Sequence, residues 1–176
     1  SIRGELFIAN PAENNITSIK CPQLTTILKQ CYIQAPNLKS LNLNSLESIP
    51  GKGDNSDGDG TFSLYGSQLV SLDLPVLKQV GKKFTLSLGT KHPELTQINL
   101  PELISCKEVS IGYADKLETI SLPKLSTLSS FSITSCAKFS KLNETIAPSN
   151  LEKLSVSHCP SVTELDASQK DINSIS

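Results

Sequence analysis

The residues most able to do chemistry lie in one short stretch, Gly51–Thr61, which reads GKGDNSDGDGT. Asn55, Asp57, Asp59 and Gly60 follow the order D-x-[DN]-x-[DN]-G that opens a calcium loop, with Asn in the first place. Oxygen ligands at alternate positions suit a hard cation, and Gly permits the sharp turn between them. Asn55, Asp57, Asp59 and Thr61, the last through its carbonyl, are therefore the expected ligands of Ca²⁺. The bound ion would stiffen the loop. The pattern departs from a full calcium loop at Gly66, which stands where a bidentate Glu belongs, and no flanking helix is evident. The same Gly and Asp residues also make a plain acidic turn-rich loop, so both readings stay open.

No catalytic constellation accompanies this loop. The two histidines are His92 and His158, and the five cysteines are Cys21, Cys31, Cys106, Cys136 and Cys159. His158 and Cys159 are sequence neighbours, which point apart on a strand, whereas a nucleophile and its base must converge. Neither the Cys and His spacing of a zinc site nor a phosphate loop ending in G-K-[ST] occurs. The expectation is a non-enzyme. Five cysteines cannot all pair within the chain, and buried thiols acting as small apolar groups are expected. Cys136 and Cys159 hold the same place in successive units, which permits a disulfide without requiring one.

The elements that must carry these residues follow from a repeat. The phrase L-x-x-φ-x-L-P, with φ an apolar residue, occurs at Leu69–Pro75, Leu95–Pro101 and Leu117–Pro123. The leading apolar residues Ile16, Leu38, Leu69, Leu95, Leu117, Phe139 and Val162 are spaced 22, 31, 26, 22, 22 and 23 residues apart. A period of this size marks stacked coils. Each unit opens with a short φ-x-φ piece, such as Phe62–Leu64 or Val109–Ile111, and both pieces alternate with the period of strands. Pro after the second piece ends the strand and turns the chain. The fold expected is mainly β: one solenoid domain over 1–176, of about seven coils with two short strands each and few or no helices. The long intervals mark an inserted loop at 50–60 and a smaller insertion near Gly89–Glu94.

Between the inward apolar residues of L-x-x-φ-x-φ stand two outward columns. One runs Ser18, Ser40, Ser71, Gln97, Thr119, Lys141, Glu164; the other runs Lys20, Asn42, Asp73, Asn99, Ser121, Asn143, Asp166. The expected binding face is centred on Asn42, Asp73, Gln97, Asn99, Thr119, Ser121, Lys141, Glu164 and Asp166. A further column of Ser63, Ser87, Ser110, Ser132 and Ser155 is expected on the φ-x-φ strands, with a structural role.

The phrase L-x-x-I-x-L-P-x-L-x-x-φ resembles leucine-rich repeats. The φ-x-x-C-x-x-φ-x-x-φ phrase at Ile133–Leu142 and Val156–Leu165 is similar to BspA-type repeats of atypical Bacteroidetes surface proteins. Leu-Pro-x-Leu also resembles receptor L domains and fungal cell-wall proteins. The usual repeat Asn is largely missing here. The resemblance implies a non-catalytic extracellular or cell-surface module for adhesion or recognition of a protein or glycan on a host or neighbouring cell. The alternative is a structural spacer in a longer envelope protein, with no specific ligand. An oligomer formed through an open coil edge near Ile172–Ile175 is a further expectation.

Composition narrows the partners. Apolar residues are 38 %, charged residues 19 % and the net charge is −1, so the basic excess of a nucleic-acid or anionic-membrane binder is lacking. No apolar run is long enough to insert this segment into a bilayer. The chain starts Ser-Ile-Arg and contains no Met, and it reads as processed or trimmed, with any export signal or anchor removed. Asn15-Ile16-Thr17 and Asn143-Glu144-Thr145 fit the glycan-acceptor phrase.

Overall fold

A computed structural model describes residues 1–9, 15–53, 58–89, 93–140 and 151–163, and the backbone of 174–175. Every strand pairing in it is parallel, as stacking of equivalent coils demands. The protein is a parallel β-solenoid of about six turns, and no helix occurs among the described residues. The sequence count of about seven coils includes windows that lie partly outside those residues.

The first side of the coil is an eight-stranded sheet. Its strands are β1 (Leu6–Ala9), β3 (Gln30–Gln34), β6 (Thr61–Tyr65), β9 (Lys83–Ser87), β11 (Glu108–Gly112), β13 (Ser130–Thr134), β14 (Lys153–Ser157) and β15 (Ser174–Ile175). The second side carries the L-x-x-φ-x-φ pieces as two separate sheets. One pairs β2 (Ser18–Lys20) with β4 (Ser40–Asn42); the other stacks β7 (Ser71–Asp73), β10 (Gln97–Asn99) and β12 (Thr119–Ser121). The long insertion lies at the corner between the third side of one coil, at Ser48–Ile49, and the first side of the next, at β6.

A third side adds to the two strands of each coil. β5 (Ser48–Ile49) pairs with β8 (Gln79–Val80), and single bridges extend the row from Thr26 to Ser48, Gln79 to Ser105 and Ser105 to Thr127. One or two residues per coil are too few to print an alternation in the sequence, which is why periodicity missed this side.

The repeated phrases now have a geometric meaning. Leu77, Leu103 and Leu125 donate their amides to Leu74, Leu100 and Leu122 at 3.3, 3.2 and 3.2 Å. Leu-Pro-x-Leu is thus a β-turn with Pro at its second place, where its fixed φ fits. It joins the second side to the third. A matching turn joins the first side to the second: Leu38, Leu117 and Phe139 donate to Ala35, Ala114 and Cys136. Small side chains suit this corner because it is fully buried.

Inside, the column Leu72–Ile98–Ile120 is in register and buried. Phe62 stacks on Phe84 in the next coil with ring centres 4.9 Å apart. Each coil covers its neighbour's apolar residues, and each buried Leu or Ile contributes about 1.5–3 kcal/mol that an isolated coil would forfeit. Ion pairs between coils, such as Glu94–Lys116 and Glu102–Lys124, decorate the surface; being exposed, each adds only about 0–1 kcal/mol. The strand register also corrects the serine column. Thr85, not Ser87, stands between Ser63 and Ser110, while Ser87 lies beside Tyr65 and Gly112.

Removing one rung of the inner column should be costly, while trimming its outward neighbour should not. Ile98→Ala is expected to lower unfolding free energy by about 2–5 kcal/mol, and Thr119→Ala to change it by about 0.5 kcal/mol or less. Urea denaturation of both variants measures the contrast.

Candidate functional site

The base of the acidic insertion is closed by Asp59. Its carboxylate accepts hydrogen bonds from the amides of Lys52 at 2.6 Å and Gly53 at 2.7 Å, and the residue is 8 % exposed. The Thr61 hydroxyl donates to the Gly58 carbonyl at 2.7 Å. Gly60 donates its amide to the Lys29 carbonyl and accepts from Lys82, so the returning limb is tied to coils on both sides. Gly81 passes so close to Pro50 that a Cβ there would run into the Pro50 carbonyl oxygen. Asp59 thus serves as a clasp across the mouth of the insertion, a role the sequence did not disclose. Asn55 and Asp57 lie outside the described residues, so the expected calcium set is not brought together within them. Among the described residues no group of three or more His, Cys, Asp or Glu could hold a metal.

The expected binding face divides in the same way. Asp73, Gln97, Asn99, Thr119 and Ser121 come together on the outer side of the three-stranded sheet, in two in-register columns. Gln97, Thr119 and Ser121 are exposed; Asp73 and Asn99 are half-buried. The Ser71 hydroxyl donates to Asp73 at 2.7 Å, which fixes that carboxylate within the sheet face. Asn42 belongs to the separate β2–β4 sheet. Lys141, Glu164 and Asp166 lie outside the described residues.

All five cysteines are free thiols, four of them buried and Cys21 half-buried. Burial pushes the thiols of Cys31, Cys106 and Cys136 up to about 12, because a thiolate there would lose its hydration. Cys106 donates its S–H to the Glu108 carbonyl at 3.0 Å, and Cys159 to that of Ser157 at 3.3 Å. Such thiols fill corners and are poor nucleophiles.

Two further features escaped sequence reasoning. Phe7, Tyr32 and Tyr65 form an aromatic row across the outer face of the first side, with ring centres 4.8 and 5.3 Å apart. The strand alternation places these three residues outward, and that alternation was the available signal. The row ends at a groove of about 590 Å³ lined by Gln34, Asn37, Tyr65, Ser67, Gln68 and Ser87, among others.

The fold class defined by these observations is a parallel β-solenoid with three-sided coils. No family model, curated protein or solved structure matches the chain.

Two outcomes follow from the clasp and the thiols. Asp59→Ala strands two amides and should cost about 1–3 kcal/mol, in EDTA as well as in calcium; urea melts in both buffers check it. The raised thiols carry a signed pH dependence. Above pH 9 the unfolded chain releases thiol protons that the folded chain keeps up to about 12. The unfolded state then binds fewer protons, and stability falls as pH rises through that window. Each thiol contributes up to about 1.4 kcal/mol per pH unit. Melts at pH 8 and 10.5 should show a smaller drop for Cys31→Ala than for the parent chain.

Proposed function

We propose that this chain is a non-catalytic recognition module of the leucine-rich-repeat type that works outside the cell, secreted or on a surface. Its partner is a protein or glycan on a host or neighbouring cell. The observation that carries this reading is the rigid outward patch of Asp73, Gln97, Asn99, Thr119 and Ser121, whose backbones sit in register on three stacked rungs. A preorganised polar array of this kind avoids the entropy that a flexible surface must lose on binding. The Leu-Pro-x-Leu and φ-x-x-C phrases add the family likeness. A bound calcium would belong to the insertion and act on its stiffness.

One observation favours a second reading, the spacer with no ligand. Glu47–Lys78, Glu94–Lys116, Glu102–Lys124 and Glu118–Lys138 link successive coils along the outside. A row of such pairs stiffens a rod whether or not it binds anything.

A binding screen on host-matrix proteins and a glycan library, run with and without calcium, separates the two. The recognition reading expects a partner whose affinity drops tenfold or more, about 1.4 kcal/mol, when Asp73, Gln97 and Thr119 are changed together to Ala. Absence of any partner supports the spacer, and a partner indifferent to that triple change overturns the patch as the binding site.

A further inference from the structure

Two thiols meet where two successive coils turn the same corner. β13 and β14 pair in register from Ser130 with Lys153 to Thr134 with Ser157. The ladder runs on past the strands, and the Ser135 amide donates to the Ser157 carbonyl at 2.9 Å. Ser135, with φ 52°, and His158, with φ 54°, then carry each coil through the left-handed region. Phe139 donates its amide to the Cys136 carbonyl at 3.2 Å, and Val162 to that of Cys159 at 3.0 Å, which closes the same turn in both coils. Cys136 and Cys159 are therefore equivalent positions on neighbouring rungs, with backbones about 5 Å apart.

The sulfurs lie in the space between the coils. Cys159 Sγ is 3.3 Å from the Ser157 carbonyl of its own coil and 3.9 Å from the Ile133 carbonyl of the coil before. Cys136 Sγ is 3.5 Å from the carbonyl of Thr134, the residue after Ile133. The Cys136 thiol is within hydrogen-bonding reach of Cys159. A disulfide requires Cα atoms roughly 4.4–6.8 Å apart and side chains that do not diverge. In-register stacking supplies both without moving the backbone.

Packing alone does not call for this pair. The corner needs a small buried residue, and Ala35 and Ala114 serve it in other coils, each closing the same turn. Cys31 lies within β3, and Cys106 follows the third-side bridge of Ser105 to Thr127, so neither shares the corner.

We propose that Cys136 and Cys159 form a redox site, in which a small disulfide of the glutathione class joins them covalently across the two coils. Cys159, 8 % exposed, is the sulfur that the oxidant reaches, since Cys136 is fully buried. The Cys159 thiol gives its proton to solvent, and the thiolate attacks one sulfur of the oxidant. The oxidant's S–S bond breaks, and one glutathione leaves and takes up a proton. Cys136 then loses its proton, attacks the Cys159 sulfur and expels the second glutathione in the same way. The two protein thiols give up two electrons, and one glutathione disulfide becomes two glutathiones. Burial pushes the Cys136 thiol up to about 12, so its thiolate is scarce at neutral pH and the bond closes fastest during refolding, before the corner is covered. The bond ties the coil of β14 to that of β13. It stands independently of any partner at the Asp73, Gln97 and Thr119 patch.

The test refolds the chain from urea in a buffer of reduced and oxidised glutathione, beside a sample kept in reductant. Both are quenched in acid, alkylated and mapped by proteolysis and mass spectrometry. A peptide pair joined through Cys136 and Cys159 is expected in the first sample and not in the second. The linked chain should melt roughly 5–10 °C above the reduced one. That gap should vanish in the Cys136→Ala, Cys159→Ala double variant, whose alanines match those of the other coils. Mapping of the parent chain carries the test if the double variant does not fold. The inference is overturned if Cys136 and Cys159 stay alkylatable, keep glutathione as separate mixed disulfides, or link to other cysteines instead. It is overturned equally if the linked chain melts no higher than the reduced one, or if the double variant keeps the gap.

Discussion

A coil of this protein cannot bury its own apolar residues, and everything else follows from that. Leu72, Ile98 and Ile120 are shielded only because the coils above and below present the same residue at the same height. A slip of one position would turn each inward residue to solvent along the whole strand. In-register parallel stacking is therefore the condition under which the chain has a core. It also fixes the outer columns, since alternation ties every outward side chain to an inward one.

The surface features are departures from that regular stack. The insertion at 50–60 leaves the coil between β5 and β6 and is closed at its mouth by Asp59. A groove of about 590 Å³ lies beside Tyr65, between Gln34 and Ser87. Where the stack is unbroken, from β7 to β12, the outer face is a small polar patch of fixed geometry. A solenoid evolves binding surface cheaply in this way: one residue added or lost at a corner reshapes the exterior and leaves the inner ladder in place.

Much of this was legible in the sequence, for identifiable reasons. The spacing of Leu95 and Leu117, and the Pro after each strand, announced both the coil and its main turn. Phe84 and Leu86 were harder: Leu88 two residues on is also apolar and buried, so the serine column was shifted onto Ser87. The third side showed only as the single apolar residue that closes the phrase, Val80, Cys106 or Leu128, because its neighbours Gln79, Ser105 and Thr127 are polar and nearly alone in their rows. The clasp at Asp59 was not legible because the spacing shows a carboxylate but not the Lys52 and Gly53 amides it meets. Tyr65 and the groove depend on three coils being neighbours in space. No single window of sequence contains that information.

The direct measurement of the stacking itself is a set of backbone nuclear Overhauser effects in the labelled protein. Parallel, in-register coils require cross-strand contacts linking Ile98 with Leu72 on one side and Ile120 on the other, and Ile111 with Leu86 and Ile133. Contacts that instead join these residues to antiparallel partners, or to strands outside their own side of the coil, would contradict the solenoid and the surfaces built on it.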